Sequence, residues 1–324
     1  MTLCGFEIAP GEKRQVKLPV PGGVPLEVWL FCGTHSGKTL VVTAGVHGCE
    51  YVGILALQKL AETLDCATLF GQVILLPLVN SKGFFAGVKQ LNPADDRNLN
   101  REFPGKEDGT ETQRMAWTIE KLLYPEADFL LDLHGGDWNE ELAPLVFFPC
   151  GAEQKLEQET RRAAQALSVS MRVCSTAQNG LYSWAAQKGI PALLLERGGN
   201  GRWTSEEVEA DCEDVLRLMN HLGIRKEVFD AIPQTEITEA VYEEALADGY
   251  WFPEVCAGQE VLKDELLGRW KSSDGTQNCE VRARFAGRVL YETTALGVRR
   301  NDPLVAYGTC LLYTSDAADE GLGV

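Results

Sequence analysis

Histidine is scarce in this chain, with four residues among 324. A pattern that engages two of them therefore carries weight. The ten cysteines are scattered and form no CxxC pair. No apolar run approaches the roughly 18 residues of a membrane-spanning helix. Met1–Arg14 lacks a basic start followed by an apolar core, so no secretory signal is expected. Under those conditions the cysteines read as reduced thiols of a cytoplasmic protein, not as a disulfide framework. Basic residues are also in short supply: 30 Lys and Arg against 47 Asp and Glu, a net charge of −17. That argues against a nucleic-acid partner, whose phosphates would be repelled. It says little about one pocket, so a carboxylate ligand stays compatible if arginines line the site.

An apolar fraction of 45% and a charged fraction of 24% are ordinary for a globular protein, and the length suggests about two domains. Gln15–Leu18 and Leu26–Phe31 read as strands joined by the turn Pro21-Gly22-Gly23. Thr39–Ala44, Val73–Val79, Asp128–Leu133 and Ala192–Leu195 are compact apolar runs expected to be buried strands. Helical spacing runs through Gly53–Leu64, the segment after Thr110-x-x-Gln113, Glu153–Leu167, Tyr182–Lys188 and the segment after Thr204-x-x-Glu207. Strands alternating with helices predict an α/β domain with a mostly parallel or mixed sheet flanked by helices. In such sheets ligands bind outside the carboxyl ends of the strands.

Beyond Pro233 the texture changes to frequent turns, with helical spacing only in Val241–Ala247. Val261–Leu267 and Val298–Leu304 share a Val-to-Leu spacing around a polar turn. This weak repeat predicts a small all-β domain of two similar halves, which resembles a biotinyl/lipoyl-like domain. A carrier of that type needs a modifiable lysine in its central hairpin. The stretch Lys271–Asn278 lacks the usual Met-Lys or Asp-Lys-Ala signature, so a structural or gating role is expected. Cys310–Glu320 reads CLLYTSDAADE, which resembles read-through of a sequencing-library adapter. The expected organisation is a catalytic domain over 1–232, a small β domain over 233–309, truncated at its end, and a non-native segment over 310–324.

Three of the strand ends carry polar groups. His47-Gly48-Cys49-Glu50 follows Thr39–Ala44; Gly45 and Gly48 would let the turn fold tightly enough for both side chains to face one point. Asp132 and His134 share one side of their strand, and a carboxylate and an imidazole ending an apolar strand are costly without a purpose. Glu196 closes Ala192–Leu195 and opens a glycine-rich loop. Two histidines and a carboxylate are the ligand set of a hydrolytic zinc site, and a nearby glutamate is the usual base. Each piece has a plainer reading: a polar turn at a helix start, a satisfied strand-end histidine, a surface Glu–Arg pair. A fourth piece, Arg97–Gly105, places Asn and Arg side by side, able either to grip a carboxylate with forked donors or to serve as a solvated loop in which Arg pairs with Asp95 or Asp96.

The four motifs in order, Gly45-Val-His47-Gly48-x-Glu50, Asn98-Leu-Asn100-Arg101-x-Phe-Pro-Gly105, Asp132-Leu-His134-Gly135 and Glu196-x-Gly-Gly199, resemble the succinylglutamate desuccinylase/aspartoacylase family over roughly residues 35 to 225. That family has a zinc carboxypeptidase-like fold. The resemblance implies one zinc (Zn2+) per chain on His47, Glu50 and His134, with Glu196 activating water. It implies Asn100 and Arg101 on a substrate carboxylate, and Arg97 polarising the scissile carbonyl or helping to bind the carboxylate. Two positions depart from many relatives: Cys49 stands where they have Asn, and Asn98 where they have Asp. The first reads as a small packed thiol; the second removes a charge beside Asn100 and Arg101.

The activity so implied is removal of an acyl group from an N-acyl amino acid or related small amide bearing a carboxylate. The alternatives are a metallocarboxypeptidase acting on peptide C-termini with the same machinery, and a lipoyl-like carrier or binding protein. Asp137–Glu141 and Arg202–Trp203 are loops placed to select the substrate, without an assignable role for any one residue.

Overall fold

A computed structural model of the chain describes residues 1–151 and 153–309. The expected adapter-derived segment lies outside the described residues. A short hairpin of Thr2–Leu3 with Phe6–Glu7 precedes strands β1 (Lys13–Leu18), β2 (Leu26–Cys32), β3 (His35–Ala44) and β4 (Phe70–Leu76), with helix α1 (Tyr51–Thr63) between the last two. Helices α2 (Ser81–Ala86) and α3 (Glu111–Leu122) lead to β5 (Phe129–His134), β6 (Glu140–Leu142) and β7 (Leu145–Pro149). Helix α4 (Gln154–Gln165), β8 (Met171–Ser175), α5 (Leu181–Gln187), β9 (Ala192–Glu196) and α6 (Ser205–His221) follow, then β10 (Thr235–Ile237).

Nine of these strands form one sheet in the order β10-β8-β7-β9-β5-β3-β4-β2-β1. The sheet is mixed. Its centre, β4-β3-β5-β9, is parallel, and antiparallel pairs join β1 to β2, β2 to β4 and β7 to β9. Three strands that the hydrophobic pattern left unassigned, β7, β8 and β10, extend it on one side.

The period of two along each strand decides which side chains meet which helix. Val42, Ala44, Leu131, Leu133, Leu193 and Leu195 pack in the core that includes α1, α4 and α6 residues. Val41, Leu130, Ala192 and Leu194 face the other way, into the core with α3 and α5. By that parity Thr43, Asp132, His134 and Glu196 lie on the α3/α5 side. Truncating a fully buried strand residue such as Leu131 to Ala would cost about 2–5 kcal/mol. Helix α6 starts with a reciprocal cap: Thr204 N–H donates to Glu207 Oε2 at 2.9 Å, and Glu207 N–H to Thr204 Oγ1 at 3.1 Å.

Apart from a two-stranded hairpin of Leu91–Asn92 with Arg97–Asn98, the remaining strands are β11 (Glu239–Glu244), β12 (Gly249–Pro253), β13 (Glu260–Val261), β14 (Leu266–Ser272), β15 (Asn278–Arg282), β16 (Gly287–Thr293), β17 (Gly297–Val298) and β18 (Pro303–Thr309). They form an all-β unit of two sheets, β15-β14-β12-β17 and β6-β16-β18-β11, with β13 also on β16. The helical spacing of Val241–Ala247 is overruled. Val241 pairs with Tyr307 and Glu243 with Val305 on the buried β18, and that ladder outweighs local propensity. The internal repeat has a structural counterpart. Asp264 and Asn301, at the same place in each copy, both adopt a φ of 67°, and Val261, Leu267, Val298 and Leu304 are all buried.

The two parts exchange strands. Residues 235–237 complete the large sheet on β8, and β6, from within the large-sheet half, pairs with β16. The expectation that all cysteines are reduced is corrected: Cys150 and Cys174 are joined as a disulfide, with Cα atoms 5.6 Å apart. The parallel register sets Pro149 opposite Ser175, which brings the two cysteines side by side at the end of β7 and β8. Among the described residues no helix is long and apolar enough to cross a membrane.

Candidate metal centre

The turn between β3 and α1 carries the first two candidate ligands. Gly48 allows its tightness, since a Cβ there would sit 2.2 Å from the backbone nitrogen of Phe84. Glu50 immediately precedes α1, and its carboxylate reaches both histidines. His47 Nδ1 lies 2.6 Å from Glu50 Oε1, and His134 Nδ1 lies 2.9 Å from Glu50 Oε2. Gly135 N–H also donates to Glu50 Oε2 at 3.1 Å. Ligand atoms of His47, Glu50 and His134 all lie within 4.8 Å of one another, and all three residues are buried.

Each imidazole is held from behind. His134 Nε2 is 2.9 Å from Asp132 Oδ2, and Asp132 Oδ1 accepts the Thr43 hydroxyl at 2.6 Å. His47 Nε2 is 3.0 Å from Asn98 Oδ1, which also accepts Asn100 N–H at 2.8 Å. In the tautomer whose Nε2 atoms donate outward, both Nδ1 lone pairs would be free for a metal beside Glu50. This is how outer partners fix the tautomer of ligating histidines. Asn98, one of the two positions that depart from many relatives, thus touches a candidate ligand.

The charges follow. Burial alone would raise Glu50, yet His47 and His134 bring its carboxyl down to about 2. Burial opposes a charged His134, but Asp132 and Glu50 hold it well above the ordinary imidazole range. Glu196 is pushed well above the usual carboxylate range, first by burial; His134 opposes this, and Glu50, Glu140 and Asp132 add to it. Its Oε2 is buried and has no hydrogen-bond partner. A divalent cation among these residues would act in the opposite sense on every carboxylate.

The three residues face a cavity of about 320 Å³, whose lining includes Glu196, Asn100 and Arg101. That volume suits a small molecule. Asn100 sits in a short turn, where its Oδ1 accepts Leu181 N–H at 2.9 Å and so ties the turn to the start of α5. Arg101 donates to the Asn100 carbonyl at 2.8 Å. Arg97 is the one predicted site residue not brought to the cavity; it is exposed and pairs with Glu102 at 2.8 Å. Cys49 bonds Asp137 Oδ1 at 2.9 Å and stands outside the ligand group. Burial, with Asp137 beside it, pushes its thiol far up, which suits a packed, unreactive group.

Several lining residues received no individual role from the sequence. Glu140 comes from the loop singled out as selective, and Tyr182 from α5. Tyr242, Leu290, Tyr291 and Pro303 come from the all-β unit. Burial and the neighbouring Asp137 raise Glu140 above the ordinary carboxylate range. Behind Glu196, Arg197 points to the opposite face and bonds Asp211 at 2.7 Å and Asp214 at 2.5 Å, both on α6.

The family model described as the succinylglutamate desuccinylase/aspartoacylase catalytic domain matches residues 36–222. N-alpha-acetyl-L-2,4-diaminobutyric acid deacetylase from Halomonas elongata is 30% identical over 191 residues. The match spans 58% of this chain and 56% of that relative, little more than half its length. The product-bound ectoine utilization protein EutE (DoeB) from Ruegeria pomeroyi has a similar structure, with a TM-score of 0.85 at 26% identity over 94% of this chain and 97% of its own. A succinylglutamate desuccinylase/aspartoacylase from Rhodobacter sphaeroides gives a TM-score of 0.83 at 27% identity, over 93% and 96% respectively.

Proposed function

Because this chain belongs to the succinylglutamate desuccinylase/aspartoacylase family, we propose that it is a zinc-dependent amidohydrolase that removes an acyl group from an N-acyl amino acid. One observation carries the reading: His47, Glu50 and His134 converge on a single point while the partnerless Glu196 carboxylate faces the same cavity. Two imidazole nitrogens and one carboxylate oxygen are the donor set of a hydrolytic zinc site. The outward bonds to Asn98 and Asp132 leave the correct nitrogens free, so these residues fit the ion. Zinc held there supplies Lewis acidity, which acidifies water and draws electron density from an acyl carbonyl.

The chain's own groups do the rest. Glu196 accepts a proton from water, whose oxygen bonds to the acyl carbon. The C–N bond breaks with its electron pair going to nitrogen, and Glu196 returns the proton there. The products are a carboxylic acid and a free amine. General-base help of this kind contributes about 10²–10⁴ in rate. The Asn100 amide and the Arg101 guanidinium hold the substrate carboxylate. Arg97 would have to leave Glu102 to reach the scissile carbonyl, so Arg101 is the arginine we assign to the site. We read the all-β unit as biotinyl/lipoyl-like in form and as a wall of the cavity in role, supported by its four lining residues.

We keep the cytoplasm as the proposed compartment. The Cys150–Cys174 disulfide pulls the other way, and thiol counting on freshly isolated protein decides between them. The main test is metal content measured beside hydrolysis of N-acetyl, N-succinyl and N-formyl amino acids and of dipeptides. About one zinc per chain with chelator-sensitive release of amine from an acyl amino acid is the expected result. Activity on dipeptides alone would make it a carboxypeptidase, and folded protein without metal affinity would end the zinc reading.

A further inference from the structure

Once the ligand set and the base have their roles, two charged groups remain on the cavity wall among the described residues: Arg101 and Glu140. Every other lining residue is neutral. One cation and one anion in a small cavity suit a ligand carrying both signs, since complementary charge sets orientation and rejects the wrong partner.

Glu140 is placed as a recognition group. It makes no ion pair among the described residues; the nearby Lys89 pairs instead with Asp137, at 3.5 Å. One of its carboxylate oxygens accepts Asp137 N–H at 3.2 Å. A partly buried carboxylate whose neighbouring Lys89 is engaged with Asp137 is incompletely compensated, and a ligand ammonium would supply a direct partner.

Its backbone is fixed from two sides. In the ladder with β16, Glu140 stands opposite Thr293 and Leu142 opposite Tyr291. From the other side Asn200 N–H donates to the Glu140 carbonyl at 2.9 Å. Gly199 lies so close that a Cβ there would sit 2.2 Å from the Glu140 oxygen. A carboxylate on so constrained a strand is ready for its partner before binding, which lowers the cost of recognition.

We propose that Glu140 is a specificity residue that binds a free ammonium group of the substrate while Arg101 holds the carboxylate. The preferred substrate class is then an N-acylated diamino acid, with one amine acylated and the other free. This inference rests on the deacylase reading above. An acyl amino acid with a second carboxylate in place of the amine would meet Glu140 as a like charge and be rejected.

The test compares wild type and Glu140→Gln on four Nα-acetyl amino acids of similar length in three classes, bearing an ammonium (2,4-diaminobutyrate, ornithine), a methyl (norvaline) or a carboxylate (glutamate). Wild type is expected to favour the ammonium substrates over norvaline by about 30-fold or more in kcat/KM. In Glu140→Gln that ratio should fall toward one, chiefly through KM. Calorimetry of the product diamino acid should show a matching loss of affinity, a readout independent of turnover. A wild type that prefers the methyl or carboxylate substrate overturns the proposal. So does a variant that weakens all three equally with zinc content and thermal unfolding unchanged. If wild type cleaves none of the panel, this inference is overturned; the deacylase reading fails with it only if N-succinyl and N-formyl amino acids are also left intact.

Discussion

Glu196 and His134 stand directly opposite each other on adjacent parallel strands, β9 and β5. The same register sets Leu194 beside Asp132 and, one strand over, Thr43 beside Asp132. Three chain segments far apart in sequence thus end at one edge with their polar side chains on one face. The proposed proton acceptor and a candidate ligand are held there by sheet hydrogen bonds, not by loops, which suits a site needing fixed geometry.

Glu196→Gln should keep the metal and lose about 10²–10⁴ in kcat. The substitution preserves shape and removes the proton acceptor. Metal analysis with steady-state turnover checks it, and near-normal turnover would sink the base assignment.

Asp132→Asn should weaken metal binding about 10–100-fold. The carboxylate that receives His134 Nε2 at 2.9 Å becomes an amide able to present its donor side, which disturbs the tautomer. Competition with a chromophoric chelator reads the change. Unaltered affinity would mean that His134 does not depend on Asp132.

The two arginines of the Arg97–Gly105 run should separate. Arg101→Ala is expected to lower kcat/KM about 30-fold or more, mainly through KM, by removing the cation that holds the substrate carboxylate. Arg97→Ala should change it less than about 3-fold, since its ion pair with Glu102 is exposed. The reverse order would show that Arg97 swings into the cavity.

Arg197→Ala should destabilise the protein by about 3–5 kcal/mol in urea unfolding. It strands Asp211 and Asp214, which are fully buried, without their cation. Burial already pushes Asp211 up to about 7 despite Arg197. A loss below 1 kcal/mol would mean that water or protonation relieves the pair.

Stability should fall as pH rises toward 7 through the Glu141–Glu292 pair, which lie opposite each other on β6 and β16. Burial, then the Glu141 carboxylate, push Glu292 up to about 7. A carboxyl raised in the folded state binds its proton more tightly there than in the unfolded chain. Its favourable contribution is therefore full below the ordinary glutamate range, near 4, and is lost as pH climbs to about 7. Glu292→Gln should raise Tm more at pH 8 than at pH 5 in calorimetric scans. Equal shifts at both would remove the linkage.

Much of this was legible before any coordinates. His47, Glu50, His134 and Glu196 each end an apolar run of a kind that buries as a strand, and the α/β alternation predicts that those ends share an edge. The Val261 and Val298 repeat pointed to two similar halves, and both copies turn on a left-handed residue. Strands β7, β8 and β10 were not legible, because Leu145–Pro149 and Met171–Ser175 are short and their partners are distant. The strand over Glu239–Glu244 ran against a helical spacing, and only its ladder with β18 decides it.

By itself the sequence marked the candidate site residues and determined the parity that turns Asp132, His134 and Glu196 to one side, since both depend on local spacing and a period of two. The tertiary structure alone decided which residues complete the cavity. Glu140 is set opposite Thr293, Tyr242 and Tyr291 join the lining, Cys150 meets Cys174, and Arg97 turns to Glu102. These depend on the register and packing of segments brought together only by burying a shared core, which no local pattern encodes.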